Sequence, residues 1–452
     1  MSEWQKVKVG DIATESKTPE TNPDANRKIR VRLNVNGVEQ RPLLSEKEGA
    51  TKCYERKAGQ FIYGRQNFHK GAFGIVPSSL DGFSSSGDLP AFDIDDSCLP
   101  EWLLYWFKTE NRYMQLLKHA KGVASQRVST LDFYSTEILL PNITTQKSII
   151  KNLQSTEQKT KELESLFSNQ KTYLTQLRQA ILQEAIEGKL TADWRVKNPV
   201  QKGNPDHDAQ ALLETIKAEK QKLMADGKIK KEKPLAPINP DDVPFALPDG
   251  WVWVRLGEIG NAEAYPFVDG PFGSAINTKN DYIDSGISVI RMLNVKPFKF
   301  ISDNLKFISF EKFQSLERHN VKANDILFSK VGAGIGEACI VPSDFEIGIL
   351  STTGVTRLRV GTIVLPKYLC LFLNTNSEKF KSLSCNTAQP FLNMTHIKTF
   401  LFSLPPLAEQ NAIVERVDRL LESVNALELQ VTERKSYAQQ LMQAVLKEAF
   451  AG

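Results

Sequence analysis

The feature that most constrains this chain is an internal repeat, each copy of which ends in a long segment without Gly or Pro. Shifting residues 171–185 by 264 positions aligns them with residues 435–449, and nine of the fifteen pairs are then identical. In both copies seam residues recur at alternating spacings of four and three over about 40 residues, which is the a/d pattern of a coiled coil. A helix of this length with a narrow apolar stripe is not stable alone. The sequence predicts two long helices that pack on each other, and the alternative left open is two separate amphipathic core helices.

The repeat continues upstream of these helices. Trp4–Ile12 matches Trp251–Ile259 at a shift of 247, whereas Phe61–Arg65 matches Ile326–Lys330 at a shift of 265. The growing shift places about 17 extra residues in the first part of the second copy. Each copy is therefore predicted to be a globular unit followed by a long helix.

Within the globular copies, short β-branched or aromatic runs alternate with clusters of Gly, Ser, Asn and Pro, which is typical of strands joined by loops. Helical patterns occur only near Glu101–Lys118 and Lys367–Phe380. These patterns predict an α+β fold. The predicted domains are residues 1–140 (first globular copy), 141–188 (first long helix), 189–250 (amphipathic helix and Pro/Lys-rich linker), 251–404 (second globular copy) and 405–452 (second long helix).

Composition excludes several classes of protein. The 452 residues carry a net charge of only +4, which permits a nucleic-acid partner without requiring one. The five cysteines form no C-x-x-C pair and the five histidines lack metal-ligand spacing, so neither a structural zinc site nor a disulfide framework is expected. Without an apolar run of about 18 residues or a signal-peptide core near the start, the chain is expected to be cytoplasmic.

Several motifs make the chain similar to the specificity subunits of type I restriction-modification systems. The most specific is Asp269-Gly-Pro-Phe-Gly-Ser-Ala-Ile276 followed by residues 281–294, which resembles the start of a target recognition domain. Supporting motifs are Ala388–Met394, Leu404–Gln410, Leu182–Leu190 and Phe245–Trp251. The first copy lacks the Gly-Pro-Phe-Gly-Ser run, and it is therefore expected to recognise a different sequence.

The resemblance implies two pseudo-repeated α+β target recognition domains separated by two long helices packed as an antiparallel coiled coil. It further implies that each domain reads one half of a bipartite site in double-stranded DNA, while the coiled coil sets the spacer. Two methyltransferase subunits would dock on the helices, and restriction/translocase subunits would join them. The chain itself is then expected to be non-catalytic and to hold no cofactor or metal, with adenosylmethionine, ATP and Mg only on the partner subunits.

Candidate DNA-reading residues are polar loop residues whose side chains suit base edges or phosphates. Arg and Lys pair with guanine acceptors, whereas Asn and Gln pair with adenine. In the first copy the candidates are Arg65, Gln66, Asn67, Lys70, Ser85, Gln126 and Arg127. In the second copy they are Ser274, Arg291, Asn294, Lys330, Thr352 and Gln389.

Two other functions compete with this interpretation. A self-contained DNA methyltransferase would need an adenosylmethionine-binding Gly loop and an Asn/Asp-Pro-Pro-aromatic motif, and the sequence has neither. A coiled-coil scaffold that binds only proteins would tolerate exchange of its globular copies without any change in DNA preference. Since the two globular copies carry net charges of only +2 and +3, partners are expected to supply much of the phosphate binding.

Overall fold

A computed structural model describes residues 4–21, 24–42, 52–119, 127–230, 234–385 and 390–451. Its contacts divide the chain into unit 1 (Met1–Lys171 with Leu429–Gly452) and unit 2 (Thr172–Glu428). Both borders fall inside the long helices, so each unit holds one globular copy and part of each helix. None of the helices within these ranges combines the length and apolar character needed to span a membrane.

Unit 1 is built from short strands and few helices. Its strands are β1 (Gln5–Lys8), β2 (Ala13–Ser16), β3 (Ile29–Val31), β4 (Val38–Gln40), β5 (Cys53–Glu55), β6 (Phe61–Tyr63), β7 (Phe73–Ile75), β8 (Ser84–Ser86), β9 (Ala91–Ile94) and β10 (Glu137–Leu140). Its helices are α1 (Val9–Ile12), α2 (Pro100–Lys108), α3 (Thr130–Tyr134) and the start of α4 (Ile143–Ile186).

The central sheet of unit 1 is antiparallel and has the order β2-β9-β6-β7. Strand β1 pairs with β10, β3 with β4, and β5 with β8. The core is rich in aromatic rings: Phe61 stacks on Phe73 and Phe133, and Tyr63 stacks on Phe92. Such rings contribute large apolar areas to a small unit and stabilise it strongly.

Within the residues that the structure describes, unit 2 has more strands than unit 1. They are β11 (Val252–Arg255), β12 (Phe267–Asp269), β13 (Ile287–Ile290), β14 (Val295–Lys296), β15 (Lys299–Phe300), β16 (Lys306–Ile308), β17 (Asn320–Val321), β18 (Ile326–Ser329), β19 (Ala338–Ile340), β20 (Gly348–Leu350), β21 (Val355–Leu358) and β22 (Leu401–Leu404). Its helices are α5 (Ala192–Lys197), α6 (Ala209–Ala225), α7 (Phe310–Ser315), α8 (Pro366–Thr375), α9 (Ser377–Ser382), α10 (Met394–Thr399) and the start of α11 (Leu407–Ala449).

The central sheet of unit 2 repeats the topology of unit 1. Its order is β12-β21-β18-β19, again antiparallel, and β11 pairs with β22 as β1 pairs with β10. The extra residues of the second copy precede β18, where a mixed sheet of order β16-β13-β20-β17 contains the parallel pair β13–β20. In unit 1 the separate β5–β8 pair is antiparallel. The repeat predicted from sequence is thus confirmed in the central sheet, while the smaller sheets differ.

In unit 1 the start of α4 packs on the end of α11. Ile150 and Leu153 share one buried cluster with Leu446 and Phe450. Phe450 also contacts Trp102 of α2, with ring centroids 4.5 Å apart. Because an early part of one helix meets a late part of the other, the two helices run antiparallel here.

In unit 2 the end of α4 packs on the start of α11. Arg178 of α4 donates to Asn425 of α11 at 2.6 Å. Just after α4, Asp193 of α5 forms an ion pair with Arg416, nearer the start of α11, at 2.5 Å. The order of these contacts is again antiparallel. The prediction of two long helices packed on each other, of 44 and 43 residues, is therefore confirmed.

The predicted seam is only partly buried. Leu153, Leu174, Val417 and Val424 are buried, but the seam positions Leu163, Leu177, Leu427 and Leu441 are 40% to 59% exposed. In a two-helix pair each seam residue is covered from one side only, so some apolar surface stays open.

One predicted helix is shorter than expected. The sequence shows a helical pattern near Glu101–Lys118, and α2 covers it only as far as Lys108. Glu110 and Asn111 then adopt positive φ angles of 50° and 54°, which break the helix before a 3-10 segment. Apolar periodicity alone does not reveal such a kink.

Candidate nucleic-acid interface

Three predicted DNA-reading residues of unit 2 lie in loops that follow β13 and β20 of the mixed sheet and β18 of the central sheet, and backbone hydrogen bonds join these loops. The amide of Ser351, beside Thr352, donates to the carbonyl of Ile290, beside Arg291, at 2.9 Å. The amide of Lys330, directly after β18, donates to the carbonyl of Gly354 at 3.1 Å. Residues that are distant in sequence therefore converge on one surface, which we call the unit 2 loop face.

Lys330 is held by a carboxylate on this face. Its Nζ lies 2.6 Å from Oδ2 of Asp269, and Oδ1 of Asp269 accepts a hydrogen bond from Thr356 at 2.5 Å. Lys330 is only 7% exposed, so the pair is largely shielded from water. The positive charge that the sequence places here is thus neutralised within the protein.

Arg291 and Asn294 shape one of the converging loops. The buried Asn294 accepts a hydrogen bond from the Arg291 amide at 2.9 Å and donates to the carbonyl of Ile301 at 2.7 Å. The Arg291 guanidinium donates to the carbonyl of Asn304. With its side-chain amide engaged on both sides, Asn294 fixes the turn, whereas Arg291 stays partly exposed and Thr352 is exposed.

In unit 1 the residues after β6 form the corresponding loop. Arg65, which aligns with Lys330, pairs with Glu15 at 3.4 Å and donates to Thr130 Oγ1 at 3.0 Å. Gln66 and Lys70 are exposed, and Asn67 is half-buried between them. Both copies thus place a basic residue after the third strand of the central sheet and pair it with an acid of the edge strand, β2 or β12.

Two further candidates of unit 1 lie near Arg65. The amide of Val128, next to Arg127, donates to the carbonyl of Arg65 at 2.8 Å, and the exposed Arg127 forms an ion pair with Asp88 at 3.5 Å. Ser85 is buried, and its hydroxyl accepts a hydrogen bond from Nε of Arg56 at 2.7 Å. Burial lowers the pKa of the Arg56 guanidinium to about 10, which leaves it charged at neutral pH. Ser85 thus has a structural role in holding a buried cation.

The remaining candidates are only partly defined by the structure. Gln126 and Gln389 lie outside the described residues. Ser274 belongs to a short 3-10 turn, Gly273–Ala275, and its side chain is not described. The proposed DNA contacts of all thirteen candidate residues stay predictions.

Sequence reasoning missed the apolar part of the unit 2 loop face. Phe272 is 86% exposed, and Met292, Leu293 and Phe391 are 37%, 46% and 41% exposed. These residues escaped attention because only polar side chains were considered as readers. The signal available in the sequence was a Phe inside the run Gly-Pro-Phe-Gly, where loop residues flank an aromatic ring.

Metal chemistry has no evident location in the part of the chain that the structure describes. Within those ranges His, Cys, Asp and Glu side chains nowhere gather in a group of three or more that is suited to a metal ion. The interface is built from hydrogen-bonding and apolar groups.

Comparison with known proteins defines the class of this fold. Residues 248–434 match the family model described as the type I restriction modification DNA specificity domain. This range contains the whole unit 2 loop face. The second globular copy is therefore a DNA specificity domain of this kind.

Relatives extend the similarity beyond that domain. The chain is 27% identical over 326 residues to the type I restriction enzyme EcoAI specificity subunit of Escherichia coli, a match that covers 70% of this chain and 51% of the relative. The EcoEI specificity subunit of E. coli is 24% identical, with 68% and 50% covered. The chain thus spans about half the length of these relatives. The chain is therefore similar to specificity subunits of type I restriction-modification systems, the family that its sequence motifs resemble.

Solved structures share the fold. The HsdS subunit from Thermoanaerobacter tengcongensis aligns with a TM-score of 0.57 at 17% identity, covering 100% of this chain and 97% of that one. A chain from a study of complex assembly and conformational transition of a type I R-M system aligns with a TM-score of 0.67 at 17% identity, covering 100% and 98%. The overall fold of this chain therefore recurs in both solved structures.

Proposed function

We propose that this chain selects a bipartite site in double-stranded DNA. Each globular copy reads one half of the site, and the antiparallel helices set the number of unread base pairs between the halves. The chain carries no catalytic group of its own, and methyl transfer and cleavage belong to partner subunits.

The observation that carries this proposal is the repeated central sheet. The two central sheets have the same strand order, and in each a loop after the third strand carries a basic residue, Arg65 or Lys330. They supply two similar readers with different side chains. Two linked readers gain affinity through effective concentration when the connection suits their targets. A rigid helix pair defines one spacer length, whereas a flexible linker permits many.

The helices offer surfaces for partner proteins. Leu163 and Leu166 in unit 1 are 40% and 56% exposed, and Tyr173 and Leu177 in unit 2 are 66% and 45% exposed. Exposed apolar residues that follow one another along a helix favour a protein partner. We assign them to the docking of two methyltransferase subunits, to which restriction/translocase subunits attach.

The weak positive charge supports the same arrangement. The globular copies carry net charges of only +2 and +3, and Lys330 is already paired with Asp269. Since phosphate contacts by Lys and Arg dominate non-specific DNA affinity, the partners supply most of this attraction. Adenosylmethionine, ATP and Mg belong to those partners, and the assembly works in the cytoplasm.

Exchange of one globular copy tests the proposal. Residues 4–140 are replaced by the corresponding copy of another specificity subunit, and methylated adenines are mapped by sequencing genomic DNA from cells that contain the partner subunits. We expect a split motif in which one half changes while the other half and the spacer stay the same. An unchanged motif would contradict the assignment of unit 1 as a reader.

A second measurement addresses catalysis. The purified chain is incubated with adenosylmethionine and duplex DNA, with and without methyltransferase subunits. Methyl transfer is expected only with the partners. Transfer by the chain alone would show that it is a methyltransferase in its own right.

A further inference from the structure

We propose that Phe272 is a wedge that inserts at a base-pair step of the half-site read by unit 2. This inference rests on the proposed DNA-reading function and adds a specific mode of recognition to it. Unit 2 then recognises two properties of its half-site, namely the base edges and the ease with which one base-pair step unstacks.

The exposure of Phe272 is the first argument. The side chain is 86% exposed, more than any other large apolar side chain in the described part of the chain. A single exposed apolar residue is common on protein surfaces. Here, however, the ring lies on the unit 2 loop face, in a loop that begins at Asp269, the ion-pair partner of Lys330.

The loop that presents the ring is constrained. A Cβ atom on Gly270 would lie 2.0 Å from the carbonyl oxygen of Thr352, so only glycine allows this close approach. The Gly270 amide donates to Val355 at 3.2 Å, and the Phe272 carbonyl accepts from Ala275 at 3.0 Å. Pro271 fixes its own φ angle between these anchors. A loop backbone held in this way loses little conformational freedom on binding.

Other apolar side chains occupy the same face. Met292 lies against Gly354: a Cβ atom on Gly354 would be 2.4 Å from Sδ of Met292. Phe391, which is 41% exposed, bridges to Val331 directly after Lys330. With the Lys330 charge neutralised by Asp269, the face presents apolar groups among polar loops.

Base pairs are the partner that fits such a face. Apolar wedges inserted between base steps partly unstack and kink a duplex, and the flat ring of Phe stacks on any base. Pyrimidine–purine steps unstack most easily, so we expect one at the insertion point. The first copy lacks the Gly-Pro-Phe-Gly-Ser run, and the wedge is therefore specific to the second half-site.

The test uses the intact 452-residue chain with its methyltransferase subunits and a duplex carrying the mapped site. 2-Aminopurine is placed at successive positions of each half-site, since its fluorescence rises when it unstacks. The variants are Phe272→Ala, Phe272→Trp and, as matched control, Phe310→Ala, which removes another exposed Phe of unit 2 (61% exposed). Thermal unfolding verifies that each variant is folded.

We expect Phe272→Ala to weaken binding about tenfold or more and to abolish the fluorescence rise. Phe272→Trp keeps both properties, and Phe310→Ala changes neither. The rise should be confined to one half-site. Wild-type affinity and fluorescence in Phe272→Ala would overturn the wedge while leaving DNA reading intact, and a wild-type complex that does not bind the duplex would overturn the proposed function together with the wedge.

Discussion

Gln146 and Gln410, which lie 264 residues apart, make the same three hydrogen bonds in their respective units. Gln146 Oε1 accepts from Leu99 at 2.9 Å, and its Nε2 donates to the carbonyls of Ser97 and Pro141, both at 2.8 Å. Gln410 repeats this arrangement with Leu365, Ile363 and Pro405 at 2.8, 2.9 and 3.0 Å. Each glutamine thus ties the start of a long helix to the segment before α2 or α8, and the duplication is conserved down to single hydrogen bonds.

Replacing either glutamine by alanine should destabilise its own unit. Both side chains are fully buried, so Gln146→Ala leaves one amide and two carbonyls without their partner. We expect a loss of about 1–3 kcal/mol in the free energy of unfolding, measured by urea denaturation. Gln158→Ala is the control, because that exposed side chain donates to Glu162 at the surface and its loss should cost less than about 0.5 kcal/mol. Equal losses of stability in Gln146→Ala and Gln158→Ala would contradict the proposed role of Gln146.

Asp269→Asn should strengthen DNA binding with little sequence discrimination. The change removes the carboxylate that neutralises Lys330, so the net charge of the unit 2 loop face rises by one. The slope of log K against log salt should become steeper by about 0.9 for one added phosphate contact. Asp344→Asn serves as control, because Asp344 follows β19 at the end of the sheet away from Lys330. An equal change of slope in both variants would show that Lys330 does not contribute to DNA binding.

Adding one heptad to α4 and one to α11 should lengthen the unread spacer. Seven helical residues extend a helix by about 10.5 Å, which corresponds to about three base pairs at 3.4 Å each. Sequencing of methylated adenines measures the spacer directly. A heptad added to α4 alone breaks the match between the two helices and should abolish methylation. An unchanged spacer after the paired insertion would contradict the role of the helices as a ruler.

Phe450→Ala should loosen the end of α11 from α2 within unit 1. The ring is buried against Trp102 and Trp106, with centroids 4.5 and 5.7 Å away. Truncating a buried Phe costs about 3–5 kcal/mol, and hydrogen exchange should show faster opening of residues 429–449. Leu441→Ala, at a 59% exposed position of the same helix, is the control and should change stability by less than about 0.5 kcal/mol.

Unit 2 should lose stability as the pH falls below about 6.5. Burial lowers the pKa of His319 below its ordinary value of 6.5, with Arg318 and Arg357 acting in the same direction. The unfolded chain therefore binds a proton at a pH where the folded chain does not, and protonation favours unfolding. His319→Gln should flatten the dependence of the unfolding temperature on pH between 7 and 5. His69 in unit 1 shifts the same way, so the comparison is made between wild type and variant.

Much of the architecture was predictable because it depends on residue spacing along the chain. A heptad seam and a repeat are read by comparing the chain with itself, and both predict the helices α4 and α11 directly. The alignment of Arg65 with Lys330 likewise identified two equivalent loop positions. Such features depend on spacing along the chain, which the sequence states explicitly.

The chemistry of the loop faces was decided only by the tertiary structure. Asp269 neutralises Lys330, which lies 61 residues away in sequence. Ser85 is buried against Arg56, and the side chain of Asn294 forms a hydrogen bond within its own turn. Phe272 is exposed in a loop whose Gly270 packs closely against Thr352 of a different loop. Sequence determined which side chains are available, but contacts between distant segments decide which of them reach solvent, because burial and charge pairing are properties of the folded surface.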